Sequence, residues 1–255
     1  MNSEMVSSRK IGEISIFSPA ECARILMTVE SHSDHWTPRG PRLGPAHFFY
    51  TLGAATYLDC PVSQGQYKAL AAKTNPVLSD AFGWVYARIE QMLASVFGPC
   101  QTTGELARPG FHIFSNMSHQ GLDQSTIPLI QKMSPSSHCD LQHLEHREYW
   151  SGFGEADLVN ALSFTIPLVL PATGGGLRLL EPLERIHVDG LERMTLERHG
   201  NSETHAIYSI GTACYHLGLI RHQILLREGD AAVGAKRITL QGHGIRCDGV
   251  WQLYF

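Results

Sequence analysis

The spacing of apolar positions changes along the chain, from intervals of three and four to short alternating segments, near residue 108. In the first part, Leu78, Phe82, Val85, Ile89, Met92, Leu93 and Val96 recur at helical spacing. They predict an amphipathic helix over 79–97, with Asp80, Arg88 and Glu90 on its polar face and Gly98-Pro99 as its stop. Ser18-Pro19-Ala20-Glu21 reads as a second helix start: a Ser cap, Pro in the first turn and Glu three residues after the cap. Extended segments are predicted at 12–17 and 47–52. Beyond Pro109 the candidates are short β segments at 111–116, 161–170, 176–180, 206–209, 222–226, 236–242 and 250–255. Turn signals such as Pro109-Gly110, Gly174-Gly175-Gly176 and Asp248-Gly249 punctuate them, the pattern of a sandwich or barrel. The polar stretch 182–204 reads as an excursion between strands. The expectation is one domain over 1–255: a mostly helical support region, 1–107, and a β core, 108–255, with an insertion near 182–204.

Composition narrows the class. The 255 residues are 43% hydrophobic and 17% charged, enough apolar material for a core and too much for a disordered chain. A net charge of −4 gives no basic excess that would point to nucleic acid. No apolar run has the length of a membrane helix, and the polar N-terminus has no signal-peptide core. A soluble, cytoplasmic protein is the expectation. The six cysteines contain no Cys-x-x-Cys pair and read as free thiols. Fourteen histidines justify a search for metal spacing.

That search finds His138-Cys139-Asp140. Residues two apart on an extended chain point the same way, so an imidazole and a carboxylate can grip one ion while Cys139 points off. His222, at the start of a later β segment, can supply the third ligand, with His216 as its rival. Two histidines and one carboxylate form the facial set typical of non-heme iron(II), with coordination positions left open. Downstream, Arg237-Ile238-Thr239 again puts two polar side chains on one face. Arg237 can fork a carboxylate and Thr239 can add a hydroxyl donor, which suits the distal end of a 2-oxo diacid.

In this order, His138, Asp140, His222 and Arg237/Thr239 resemble the iron(II)/2-oxoglutarate-dependent oxygenases over roughly residues 108–255. The segments 108–113, 162–167 and 174–178 add to the likeness. The resemblance implies a mainly β protein with flanking helices and a double-stranded β-helix (jelly roll, cupin-like) core. It also implies Fe(II) on His138, Asp140 and His222, with 2-oxoglutarate as cosubstrate on Arg237 and Thr239. The interval from His222 to Arg237 is longer than usual in that family, which leaves Arg227 as a competing anchor. A narrower likeness, in 48–55, 240–245 and 251–254, is to the carrier-independent amino-acid halogenases and their hydroxylase relatives. Halogenases there have a small residue where this chain has Asp140. The resemblance therefore implies a hydroxylase that uses dioxygen on a small polar substrate, a free amino acid first, and releases succinate and CO2.

Asn116, His119, Asp123, His143 and His243 are candidate substrate contacts, and Trp251 is a candidate pocket wall. His146 is a further candidate near the motif. Two other readings stay open: a zinc hydrolase on the same ligands, and a jelly-roll binding module without turnover. The first leaves Arg237 unexplained, and the second leaves the complete ligand set unexplained.

Overall fold

The computed structural model describes residues 10–39, 49–60, 63–114, 137–145, 150–172, 174–182, 186–189, 193–196, 203–218, 220–225 and 236–255. The chain enters on β1 (Lys10–Ser15), which leads into α1 (Pro19–Ser31). The Ser18 hydroxyl accepts from the Glu21 amide while the Glu21 carboxylate accepts from the Ser18 amide, a complete capping box. Next come β2 (Thr37–Pro38), β3 (Phe49–Leu52), the short α2 (Thr56–Asp59) and α3 (Gln64–Phe97). α3 is 34 residues long and starts well before the stretch that the apolar periodicity predicts. Pro76 lies inside it, and Phe82 has non-helical angles (φ −124°, ψ 16°) that mark a kink.

The remaining strands are β4 (Cys100–Thr102), β5 (Gly110–Phe114), β6 (Ala156–Val169), β7 (Gly176–Pro182), β8 (Ile186–Asp189), β9 (Arg193–Leu196), β10 (Thr204–Ile207), β11 (Thr212–Leu217), β12 (Ile220–Leu225), β13 (Arg237–Cys247) and β14 (Val250–Tyr254). A single helical turn, α4 (Gln142–Glu145), precedes β6. The larger sheet runs β1-β11-β6-β13-β5-β3-β2, with β14 and β4 continuing from β13. The smaller sheet runs β10-β7-β12. β8 and β9 form a separate hairpin within the polar excursion. Together the two main sheets make a double-stranded β-helix with flanking helices.

Alternation along the long strands decides what each face does. Leu162, Phe164, Ile166 and Leu168 of β6 and Ile238 and Leu240 of β13 pack outward against Ile25 and Val29 of α1 and Leu78, Phe82, Val85, Ile89 and Leu93 of α3. The intervening residues of the same strands line the space between the sheets. Residues 1–107 are therefore more than a helical support: β1, β2, β3 and β4 all belong to the larger sheet. Beside α2, Gly53 (φ 117°) and Gly110 let two backbones meet. A Cβ on Gly110 would lie 2.2 Å from the Phe255 ring and 2.7 Å from the Leu52 carbonyl oxygen. No described helix is long and apolar enough to cross a membrane, and all six cysteines are free.

A buried ion pair ties β2's end to α2. Arg39 reaches Asp59 with two parallel bonds of 2.5 and 2.9 Å, and also donates to the Thr51 hydroxyl at 2.8 Å. Asp59 in turn accepts from the Ala55 amide at 2.8 Å. With side chains only 9% and 1% exposed, neither charge has water to fall back on. Asp59→Asn is expected to lower the unfolding free energy by roughly 3 kcal/mol, because it strands a buried guanidinium. Arg39→Met with Asp59→Leu should lose less than the single change; urea unfolding of the three proteins checks the order.

Candidate metal centre

Two chain segments far apart in sequence meet at the open end of the smaller sheet. His138 and His222 form an isolated antiparallel bridge: the His138 amide donates to the His222 carbonyl at 2.9 Å, and the His222 amide returns the bond at 2.8 Å. Next to this bridge, Arg221 donates to the Ser137 hydroxyl from two guanidinium nitrogens, at 2.9 and 2.6 Å. The period of two then returns Asp140 to the side of His138. Among the described residues, His138, Asp140 and His222 are the group whose ligand atoms all lie within 4.8 Å of one another.

The donor set suits a divalent metal. His222 Nδ1 is 3.0 Å from the Ile220 carbonyl, which can only accept, so Nδ1 carries the proton and the Nε2 lone pair is left for a metal. His138 Nε2 is 3.9 Å from Asp140 Oδ1, and His222 Nε2 is 3.8 Å from Asp140 Oδ2. Metal bonds of roughly 2.1 Å place adjacent ligand atoms about 3 Å apart, so these groups would close in by less than about 1 Å. Burial opposes ionisation of Asp140, but His222, His243, His216 and a bond from the Ser163 hydroxyl outweigh it and hold the carboxyl far below its usual range. It is an anion at neutral pH.

His216 and His243 sit on the larger sheet, facing Asp140 across the interior. Their nitrogens lie 3.9 and 3.7 Å from Asp140 Oδ2. Burial, with the neighbouring His222, takes His216 down to about 3, against the opposing pull of Asp140. Both imidazoles back the carboxylate.

Arg237 and Thr239 lie on the interior face of β13, opposite Phe114 and His112 of β5. The Arg237 guanidinium is centred 5.5 Å from the Tyr208 ring and 6.0 Å from the Phe114 ring. Thr239 is fully buried and its hydroxyl accepts from the Gln241 amide at 3.1 Å. The wall beside them carries a pair that the sequence reading does not single out: the Tyr57 hydroxyl is hydrogen-bonded to His112 Nε2. Only the fold brings these two residues together.

Two candidates are placed elsewhere. Trp251 points outward on β14: its ring packs on Phe97 at 6.1 Å and its indole donates to the Phe97 carbonyl at 3.1 Å. Tyr254, an odd number of positions along the same strand, takes the interior face and stacks near His243 at 5.5 Å. His143 is fully buried and commits Nε2 to the Leu158 carbonyl at 3.0 Å, a clip between α4 and β6. Asn116, His119, Asp123, His146 and Arg227 lie outside the described residues.

The chain is similar to several solved structures. An N-substituted L-amino acid dioxygenase from Burkholderia ambifaria, in complex with alpha-ketoglutarate, superposes with a TM-score of 0.50 at 11% identity, over 95% of this chain and 85% of that one. The alpha-ketoglutarate-dependent epimerase SnoN from nogalamycin biosynthesis gives a TM-score of 0.47 at 11% identity, over 93% and 80%. EvdO2 from Micromonospora carbonacea var. aurantiaca gives 0.45 at 13% identity, over 94% and 86%. The likeness to the dioxygenase is one of fold. No family model and no curated protein sequence matches the chain.

His112 generates a pH test. Burial first, then Arg237, Arg39 and His243, push it well below its ordinary 6.5. As pH falls below 6.5 the unfolded chain takes up a proton that the folded chain refuses, so folding stability falls with pH. Between pH 7 and 5, the unfolding free energy of the wild type should drop by about 1 kcal/mol per pH unit more than that of His112→Gln. Urea unfolding at the two pH values checks this; parallel losses in both proteins contradict it.

Proposed function

We propose that this chain is an iron(II)/2-oxoglutarate-dependent dioxygenase that hydroxylates a C–H bond of a small polar substrate, a free amino acid being the first choice. The observation that carries the reading is the convergence of His138 and His222 Nε2 with the Asp140 carboxylate at one point. It is supported by Arg237 and Thr239 facing the same interior. In this reading His138, Asp140 and His222 hold iron, and Arg237 and Thr239 hold the distal carboxylate of 2-oxoglutarate. The chemistry supplied by iron(II) with 2-oxoglutarate and dioxygen is oxidative decarboxylation to succinate and CO2, with one oxygen atom going to the substrate carbon.

The chain's own residues position and shield. Arg237, among aromatic rings, gives a carboxylate a charged fork in a site with little competing water. Thr239 offers a hydroxyl on the same strand face. The buried Tyr208 and Tyr254, with the half-buried Phe114, form an aromatic wall that limits the access of solvent. Asn116, His119 and Asp123 are kept as proposed substrate contacts on their sequence position, and the substrate class is supported by the fold shared with an amino acid dioxygenase. Asp140 in the motif favours hydroxylation over halogenation. A cytoplasmic site of action is part of the proposal, in keeping with six free thiols.

The test is succinate release with Fe(II) and 2-oxoglutarate under air, together with a screen of free amino acids for a mass gain of one oxygen. The wild type is expected to release succinate, and His138→Ala and His222→Ala to release none while remaining folded. Activity in His222→Ala with loss in His216→Ala would move the distal ligand to His216. Arg237→Leu should raise the 2-oxoglutarate requirement on the order of 100- to 1,000-fold, the cost of breaking a buried charged pair; an unchanged requirement would contradict the anchor. Asp140→Gly should lose most hydroxylation, and undiminished turnover in that variant would remove Asp140 from the ligand set.

A further inference from the structure

Ser163 is not among the candidate site residues read from the sequence, yet it makes a short hydrogen bond to Asp140. Its hydroxyl is 2.6 Å from Asp140 Oδ2 and 3.1 Å from His243 Nδ1. Strand register puts it there. On β6 it stands opposite His216 of β11 on one side and His243 of β13 on the other. A single row of side chains therefore crosses three strands directly behind the carboxylate.

The direction of the bonds follows from the groups themselves. An ionised carboxylate can only accept, so the single hydroxyl proton goes to Asp140 Oδ2. Ser163 must then accept from His243, which fixes the proton of that imidazole on Nδ1. The chain runs from His243 N–H to Ser163 O–H to Asp140. It takes one lone pair of Oδ2, the oxygen nearer His222, and among the described residues leaves Oδ1, on the His138 side, without a hydrogen bond.

We propose that Ser163 and His243 are positioning residues that hold Asp140 by Oδ2, so that it offers a metal one oxygen, Oδ1, in a fixed direction. The proposal rests on the reading of Asp140 as the carboxylate ligand. Without the Ser163 bond the carboxylate is free to turn about its last torsion, and binding a metal then carries the cost of ordering it. A serine that merely satisfied itself in a strand could be replaced without any effect on the metal.

Co(II) titration of the full-length chain, followed by equilibrium dialysis and by visible d–d absorption, separates the two cases without turnover. Ser163→Ala is expected to weaken Co(II) binding about 10- to 100-fold and to alter the d–d band, while Ser163→Thr, which keeps the hydroxyl, restores binding. His243→Asn, whose amide nitrogen can stand in for Nδ1, should bind close to wild type, and His243→Leu should bind more weakly. Should Ser163→Ala fail to fold, the Asn and Leu variants at 243 decide the matter. Wild-type affinity and an unchanged band in both Ser163→Ala and His243→Leu, with Asp140→Ala weakened, would overturn the positioning role and leave the metal reading intact. Unweakened Co(II) binding in Asp140→Ala would instead overturn the ligand assignment beneath it.

Discussion

The polar interior answers to one constraint, the partial burial of the Asp140 carboxylate, whose side chain is 17% exposed. A carboxylate removed from water is costly unless hydrogen bonds and opposite charge replace the solvent. Here Ser163 supplies a short hydrogen bond, and nitrogens of four imidazoles lie within 4 Å of the carboxylate oxygens. Those imidazoles are shared between the sheets: His138 and His222 lie along the mouth of the smaller one, His216 and His243 on the inner face of the larger. In the proposed reading a divalent cation held by the first pair would supply the opposite charge, while the second pair packs behind the carboxylate. One anion thus explains why so many of the chain's histidines converge.

The larger sheet makes that convergence possible because its two faces have different tasks. Ile238 and Leu240 are fixed outward by α1 and α3, so Arg237, Thr239, Gln241 and His243 have to face inward. A slip of one residue in β13 would exchange the two sets and place an arginine in the helix-facing core. The extensive apolar contact with the helices therefore sets the direction of the polar side chains. The same rule separates Trp251 from Tyr254: the first joins the outer core and the second reaches the interior.

Local patterns were legible in the sequence, and cross-strand ones were not. The two-residue spacing in His138-x-Asp140 and Arg237-x-Thr239 reads directly as a shared face, and the structure places each pair so. The capping box of α1 and the strands β5, β6, β7, β10, β12, β13 and β14 are equally visible, whereas β8 and β9 fall in the stretch 182–204 that reads as an excursion. α3 was read too short because Gly65 and Pro76 break a periodicity that packing against the sheet overrides. β11 was missed altogether: its Ala213 and Cys214 carry little strand signal. Gly211 and Gly218, both at positive φ (79° and 81°), bracket it and were the available clue. Ser163 in an apolar strand, and the Arg39–Asp59 and Tyr57–His112 pairs, acquire meaning only from register and distant contact. No spacing rule reaches across such separations.

The most direct test of the central claim is anomalous diffraction at the iron edge from crystals of the Fe(II)-loaded chain grown without oxygen. One peak is expected, within bonding distance of His138 Nε2, His222 Nε2 and a single oxygen of Asp140. A peak held by His216 or His243 in place of His222, or no peak at the His138–His222 bridge, would contradict it.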